Sequence, residues 1–231
     1  MELKLYHSNL GIDISGMQDC IVSRWIYQEK GLEKNMFDVL GKVSEAAYFM
    51  RRNEIDAIDI VDSLRPNQIK CKKWLVEEIA NINMNWKRVL ILGSWNGILL
   101  YELLKEYCDV EWIDFVDINP NTHRDRDIYF DVNSLSKNYG SIQMDATEFS
   151  DHESYDLIIN CSCEHMKDIP AVYGPTYALQ SNDYRAIKDQ HINCVDSEKQ
   201  LANKNNITKT LFSGTKKMPN YKRFMVIGYY R

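Results

Sequence analysis

The feature that most constrains this chain is an apolar strand that runs into a glycine turn and then into a helix. Residues 88–92 (RVLIL) are almost wholly apolar, Gly93 and Gly97 follow, and residues 96–107 carry leucines at helical spacing. A strand this apolar is typical of a parallel sheet that helices cover on both faces. The turn that follows such a strand lies at the carboxyl edge of the sheet, where open α/β sheets bind ligands.

The chain after this turn continues to alternate between strands and helices. Six further strands are predicted at 110–118, 141–144, 155–161, 176–180, 208–212 and 223–229. Alternating strands and helices predict a doubly wound α/β fold, which we place in residues 85–231.

The residues before the first strand have a helical pattern. Apolar residues recur every fourth position from Met17 to Trp25, and similar stripes pass through Val43 and Leu75. Pro66 predicts a break, because the residue before a proline disfavours helix. Residues 1–84 are therefore predicted to form an N-terminal helical cap.

Composition places the chain among ordinary globular proteins. Hydrophobic residues make up 45% of its 231 residues, yet no apolar run approaches the roughly 20 residues that cross a bilayer. Residues 1–10 lack the basic and then apolar pattern of a signal peptide. The six cysteines form no C-x-x-C pair and are expected to be reduced thiols. We expect a cytoplasmic protein without a membrane partner.

The charge is unevenly distributed along the chain. Residues 199–231 contain eight basic residues and no acidic ones, whereas the whole chain has a net charge of −5. A basic stretch can bind an anion such as nucleic acid. A solvated surface that balances an acidic body is the alternative that we favour, because nucleic-acid-binding domains are usually basic overall.

The glycine turn predicts an anion site. Gly93 would allow the tight turn, and Gly97 would let the helix amino terminus approach a ligand closely. A dinucleotide fingerprint would need glycines where Trp95 and Ile98 stand. The turn therefore suits a smaller anion, such as the carboxylate of an amino-acid moiety.

Two acidic residues lie at the ends of the next two predicted strands. Asp117 lies where an acidic side chain accepts hydrogen bonds from ribose hydroxyls, although it could instead cap a helix. Asp145 could accept from an adenine amino group while the Ala146 N–H donates to a ring nitrogen, or the pair could simply begin a loop.

Together these motifs resemble the class I S-adenosylmethionine-dependent methyltransferase family, over roughly residues 86–231. The resemblance implies a seven-stranded, mostly parallel sheet whose last strand is antiparallel, with S-adenosylmethionine as cofactor. It also implies a set of cofactor-binding residues, in which the glycine turn holds the methionine end: Gly93, Ser94, Trp95, Asn96, Gly97, Asp117, Ile118, Asp145, Ala146 and Asn160.

The chain departs from the family pattern at two positions. Ile91 stands where an acidic residue often helps to hold the methionine amino group, and Trp95 replaces the middle glycine. Asn160, at the end of the fourth strand, could supply a replacement polar contact. These departures leave open a degenerate binding or assembly protein, since fold alone does not establish activity. Transfer of an aminocarboxypropyl or aminopropyl group from the same cofactor is a further alternative.

Polar residues after the fourth and fifth strands form the candidate catalytic group. His165 or His191 could act as general base, and Glu164 and Tyr184 could orient the acceptor. A helix cap for Glu164 and a buried structural imidazole for either histidine are the alternatives. No metal is expected, because the cysteines at 161, 163 and 194 lack the spacing of a zinc site.

The resemblance predicts methyl transfer to an acceptor that we expect to be a small molecule. The Asn-Pro-Pro-aromatic signature of amino-methylating DNA enzymes is absent, and residues 160–163 read Asn-Cys-Ser-Cys instead.

Overall fold

The computed structural model describes residues 34–187 and 189–231. The helical pattern predicted between Met17 and Trp25 lies outside the described residues. Contacts divide the chain into two compact units, one ending at Lys70 and including Arg124–Lys137, the other formed by Cys71–His123 and Asn138–Arg231. The division between residues 84 and 85 stays a prediction.

The described part of the first unit is helical. Helix α1 spans Lys34–Arg52, and Val43, Ala46 and Met50 on one of its faces are buried. Helix α2 spans Ile58–Asp62, and α3 spans Pro66–Asn81. The first unit includes α3 only as far as Lys70. The predicted break is confirmed, because Pro66 is the first residue of α3, a position that needs no amide hydrogen.

The second unit is built on one sheet of seven strands. Strand order is β3-β2-β1-β4-β5-β7-β6. The β7 strand is antiparallel to both of its neighbours, and the other pairs are parallel. The predicted fold is therefore confirmed. The strands are β1 Arg88–Leu92, β2 Trp112–Asp117, β3 Tyr139–Gln143, β4 Leu157–Asn160, β5 Thr176–Asn182, β6 Lys209–Lys217 and β7 Lys222–Tyr229.

Three more helices follow strands. Helix α4 spans Ile98–Tyr107, α5 spans Pro120–Val132, and α6 spans Glu198–Lys204. The sequence pattern did not predict α5, because charged residues interrupt its apolar spacing. Strand β6 extends beyond the predicted 208–212. It pairs with β7 as far as Lys217, with an irregularity between Thr210 and Phe212, although none of its side chains is fully buried.

Packing covers both faces of the sheet. On one face, Leu201 of α6 belongs to the core cluster that contains Leu179 and Val226. On the other, the Gln180 side chain donates to the Cys71 carbonyl of α3 at 3.0 Å. Side chains alternate between faces along a strand, so the neighbouring residues Leu179 and Gln180 of β5 pack on opposite faces of the sheet.

Strand order reverses between β1 and β4, which makes their carboxyl ends the switch point of the sheet. In the described parts of the chain, no helix is both long and apolar enough to cross a membrane. The cytoplasmic location stays a prediction.

Candidate functional site

The carboxyl edge of the sheet has two parts, which we name by their strands. The β1–β3 edge comprises the ends of β1, β2 and β3, with Asp117 and Asp145. The β4–β7 edge comprises the ends of β4 and β5 and the start of β7, with Glu164 and Arg223.

The β1–β3 edge begins with the glycine turn. Gly93, Trp95 and Gly97 all have φ values in the left-handed region, at 58°, 52° and 67°. A Cβ on Gly97 would lie 2.3 Å from the Phe115 ring, so the start of α4 lies directly against β2. A Cβ on Gly93 would lie 2.4 Å from the Met166 methyl group. The turn is therefore tight at Gly93, and Gly97 allows the close approach of helix to sheet.

Two other residues of the turn have structural contacts. The Ser94 N–H donates to the Val116 carbonyl at 3.0 Å, and the Asn96 side chain accepts from the Ile98 N–H at 3.3 Å. Both side chains are buried. Ser94 and Asn96, predicted as cofactor-binding residues, thus stabilise the turn itself, and a ligand contact for them stays a prediction.

Asp117 joins the glycine turn to the end of β2. One carboxylate oxygen accepts from the Trp95 N–H at 2.7 Å and the other from the Asn119 N–H at 2.9 Å. The residue is half-buried. Each carboxylate oxygen has two lone pairs, so Asp117 can also accept hydrogen bonds from ligand hydroxyls.

Asp145 caps the short helical turn that follows β3. Its Oδ1 accepts from the Thr147 N–H and hydroxyl, both at 2.8 Å, and these bonds lower the pKa of the Asp145 carboxyl. Ala146 after it is buried. The capping alternative from the sequence is thus present at Asp145, and it leaves the second oxygen able to accept a donor.

Two apolar side chains at this edge are exposed. Ile118 is 66% and Met144 38% exposed, and each is adjacent in sequence to an acidic residue named above. The Met144 N–H donates to the Asp117 carbonyl at 3.1 Å, which keeps the ends of β2 and β3 together. Exposed apolar residues beside carboxylates suit a flat ligand that is apolar on its faces and polar at its rim.

Hydrogen bonds connect the end of β4 to the glycine turn. Asn160 accepts from the Ser162 N–H at 2.8 Å and donates to the Met166 sulfur at 3.2 Å. The Ser162 hydroxyl donates to the Gly93 carbonyl at 3.1 Å. Asn160 is buried, and its side-chain amide donates to Met166, whose methyl group lies against Gly93. A contact between Asn160 and a ligand stays a prediction.

A buried ion pair dominates the β4–β7 edge. Glu164 Oε1 pairs with the Arg223 guanidinium and accepts from the Asn182 amide at 2.6 Å. Arg223 also donates to the Cys161 carbonyl. Glu164 is 3% exposed, and its buried Oε2 has no hydrogen-bond partner among the residues that the structure describes. A buried carboxylate oxygen with no donor is costly, and a ligand N–H or O–H would satisfy it.

The structure brings the predicted catalytic residues together. The rings of His165 and His191 meet edge to face at 4.7 Å, and Tyr184 packs on His191 at 5.7 Å. His165 Nε2 lies 3.9 Å from Glu164 Oε1. Both imidazoles contact backbone carbonyls through Nδ1, those of Gln190 and Tyr184 respectively. The residues after β4 and β5 therefore border one site, although their catalytic roles stay predictions.

The cysteines at 161, 163 and 194 lie outside the strands, although the fourth strand predicted at 155–161 included Cys161. Cys161 and Cys163 follow β4, which ends at Asn160, and do not share one face of a strand. Burial raises the pKa of all three thiols, that of Cys161 to about 11, so they are neutral near pH 7. Among the described residues, no group of three or more His, Cys, Asp or Glu could hold a metal ion.

Sequence reasoning missed the burial of two cations near this edge of the sheet. Lys72 is 7% exposed, with its ammonium 5.6 Å from the centroid of the Trp95 ring. It lies three residues after Ile69 and four before Val76, and all three are on the buried face of α3. This helical spacing could have predicted that Lys72 is buried. Arg223 was counted among eight basic residues at 199–231, yet it is buried and paired. Those eight residues therefore do not form one exposed basic surface.

The fold matches solved methyltransferase structures, whereas the sequence matches no protein-family model and no curated protein. The N-methyltransferase NodS of Bradyrhizobium japonicum WM9, with S-adenosyl-L-homocysteine bound, is 11% identical at a TM-score of 0.56, covering 80% of this chain and 98% of that one. A Galdieria sulphuraria structure, assigned as a sarcosine dimethylglycine methyltransferase, is 15% identical at 0.54, covering 70% and 86%.

A geranyl diphosphate methyltransferase in complex with S-adenosylmethionine is 5% identical at a TM-score of 0.53, covering 71% of this chain and 86% of that one. Identities this low establish the fold alone. The strand order with an antiparallel β7 and these matches agree: the chain has the Rossmann-like fold of class I S-adenosylmethionine-dependent methyltransferases.

Proposed function

We propose that this protein is an S-adenosylmethionine-dependent methyltransferase that acts on a small molecule. The observation that carries the proposal is the position of Asp117, whose carboxylate bonds the glycine turn at the switch point of a methyltransferase fold. Ligands of open α/β sheets bind outside this carboxyl edge.

The residues of the β1–β3 edge fit the chemical parts of this cofactor. Asp117 can accept from two ribose hydroxyls. The exposed apolar side chains of Ile118 and Met144 can pack on the adenine ring, while Asp145 Oδ2 can accept from its amino group. The glycine turn and the β4 end next to it would hold the methionine end.

The bound cofactor supplies a methyl group on a sulfonium, which is already activated, so the protein mainly has to orient the acceptor. Glu164 Oε2 is buried in the segment after β4, and no described residue donates a hydrogen bond to it. We assign it to the acceptor, which would donate a hydroxyl or amine hydrogen there. His165 or His191 could accept the proton that this nucleophile loses, because a ring nitrogen of a neutral imidazole can take up a proton.

The proposal is tested with methyl-labelled S-adenosylmethionine and pools of small alcohols, phenols, amines and carboxylic acids. We expect label in a product whose mass has increased by one methyl group. Glu164→Gln should lower turnover, whereas Glu153→Gln, at an exposed glutamate in the short helical turn before β4, should not. A product that carries the aminocarboxypropyl or aminopropyl group would contradict methyl transfer.

A second candidate function is a binding or assembly protein that retains the fold without turnover. Ile91 favours it, because this residue is 1% exposed and places an apolar side chain where the family often has an acid. Tight binding of S-adenosylhomocysteine without product from any pool would support this candidate.

A further inference from the structure

We propose that Tyr184 and Tyr221 form an aromatic surface that selects a phenol as the methyl acceptor. This inference rests on the proposed function, since it names the substrate class of the same site and adds Tyr221 to the residues that contact the acceptor.

The two tyrosines lie next to the buried ion pair in the sequence and in the fold. Tyr184 follows Asn182 by two residues, and Tyr221 precedes Arg223 by two. Asn182 and Arg223 are opposite each other on β5 and β7, and both bond Glu164 Oε1. The two tyrosine ring centroids are 5.9 Å apart. An acceptor whose hydrogen reaches Glu164 would therefore lie close to these rings.

The contacts between the rings leave room for a flat ligand. Tyr184 meets Tyr221 at an interplanar angle of 50° and His191 at 74°. Neither contact is a parallel stack, so no ring of this group lies flat on the face of its neighbour. All three side chains are half-buried. An aromatic ligand can then pack on them offset-stacked or edge to face, the arrangements that aromatic rings prefer.

The charge of the site favours a neutral donor. No described residue donates to the buried Glu164 Oε2, so a ligand hydrogen would satisfy it. The negative charge of this carboxylate is already balanced by Arg223. A protonated amine would therefore add an uncompensated positive charge to a buried ion pair. A phenol donates the same hydrogen bond without a charge.

An exposed apolar side chain on the segment after β5 suits the ring of such an acceptor. Ile192 is 63% exposed. The next residue holds the segment in place, because the Asn193 N–H donates to the Glu164 carbonyl at 3.0 Å. Apolar and aromatic side chains around a single buried acceptor fit a ligand with an apolar body and one polar hydrogen.

The reaction with a phenol balances without a further reactant. The phenol oxygen forms the bond to the methyl carbon, and the electron pair of the S–CH3 bond remains on sulfur, which becomes a neutral thioether. The hydroxyl proton passes to an imidazole nitrogen of His165 or His191. The products are an aryl methyl ether and S-adenosylhomocysteine.

The test compares three ligands by titration calorimetry into protein saturated with S-adenosylhomocysteine. They are 2-naphthol, decahydro-2-naphthol, which has the same skeleton and hydroxyl without aromatic rings, and 2-(aminomethyl)naphthalene, which carries a positive charge. Wild-type protein should bind 2-naphthol about 10-fold more tightly than either of the others, as expected for favourable ring contacts and a neutral donor. With methyl-labelled S-adenosylmethionine, 2-naphthol should give labelled 2-methoxynaphthalene.

Variants assign the preference to the two rings. Tyr184→Leu and Tyr221→Leu should each lower the preference for 2-naphthol over decahydro-2-naphthol to about threefold or less. Tyr184→Phe, which keeps the ring, should preserve it. Tyr48→Leu, at an exposed tyrosine of α1, is the matched control.

The outcomes separate the two proposals. Equal or weaker binding of 2-naphthol to wild-type protein overturns the aromatic surface and leaves the cofactor site standing, as does an unchanged preference in folded Tyr184→Leu. The wild-type comparison holds even if the leucine variants do not fold. Label in an amine but in no phenol overturns the choice of acceptor and leaves methyl transfer standing. No binding of S-adenosylhomocysteine to wild-type protein overturns both proposals.

Discussion

The two edges of the site are built from different kinds of contact. On the β1–β3 edge, Asp117 and Asp145 are half-buried and accept hydrogen bonds from nearby backbone amides. On the β4–β7 edge, Glu164 and Arg223 are buried and pair across 59 residues of sequence. The carboxylates of the β1–β3 edge can still accept hydrogen bonds from a ligand, whereas the ion pair of the β4–β7 edge is part of the core. Substitutions of the carboxylates on the β1–β3 edge should therefore weaken ligand binding with little loss of stability, whereas substitutions of the ion pair on the β4–β7 edge should also lower the free energy of unfolding.

The largest expected effect is loss of the buried ion pair. Arg223→Met leaves Glu164 as an uncompensated buried charge, which should lower the free energy of unfolding by about 3–5 kcal/mol. Urea unfolding measures this loss. Arg231→Met at the exposed chain end is the control and should change stability by less than about 0.5 kcal/mol. A loss below about 1 kcal/mol for Arg223→Met would mean that the β4–β7 edge is as tolerant as a surface.

Gly97 is the exception on the β1–β3 edge, because its substitution should lower the stability of the fold itself. Gly97→Ala would place a Cβ 2.3 Å from the Phe115 ring at a φ of 67°. Backbone strain and overpacking together should lower the free energy of unfolding by about 2–4 kcal/mol. Gly174→Ala, with a φ of 117° and open space around the added Cβ, measures backbone strain without the clash. Equal losses in both variants would contradict the contact with Phe115.

Lys72 should make stability depend on pH in the alkaline range. Its pKa in the folded protein is lowered to about 8 from 10.5, so the unfolded chain binds more protons between these values. Stability then rises with pH across this window, and the gap between wild type and Lys72→Met should change by about 2 kcal/mol from pH 8 to pH 10. Urea unfolding of both proteins at the two pH values tests this, and a constant gap would refute it.

The smallest effect is expected at Ile118, which is 66% exposed. Ile118→Ser removes an apolar face for the adenine ring and should weaken S-adenosylhomocysteine binding about 3- to 10-fold, the effect of losing a partly buried apolar side chain. Thermal unfolding should change little. Ile58→Ser, at an isoleucine that is 60% exposed on α2, is the matched control and should not alter binding. Unchanged affinity in Ile118→Ser would place the ring elsewhere.

The same contrast explains what the sequence could predict. The positions of the strands along the chain, the glycine turn and the placement of Asp117 depend on local patterns, namely apolar strands and the residues at their ends. Such patterns have a fixed period and can be identified without knowing the tertiary contacts. The antiparallel last strand was implied by the resemblance to the methyltransferase family. The predicted sheet was accordingly confirmed.

The ion pair of Glu164 and Arg223 could not be predicted in this way. Arg223 lies on β7, and it reaches Glu164 only because β7 inserts beside β5 in antiparallel register, with Asn182 opposite Arg223. A count of basic residues placed it on the surface. The burial of Lys72 could have been predicted from its helical spacing, but its contact with Trp95 could not, since Trp95 is in a different element.

The most direct test of the central claim is calorimetric titration of S-adenosylhomocysteine into wild-type protein, Asp117→Ala and Asp109→Ala. Asp109 is an exposed aspartate in an ion pair with Lys87, and its substitution controls for the loss of a carboxylate. The proposed site predicts micromolar binding that Asp117→Ala weakens about 100-fold, as expected for two charge-assisted hydrogen bonds, and that Asp109→Ala preserves. Absent binding in wild type, or equal binding in all three proteins, would contradict it.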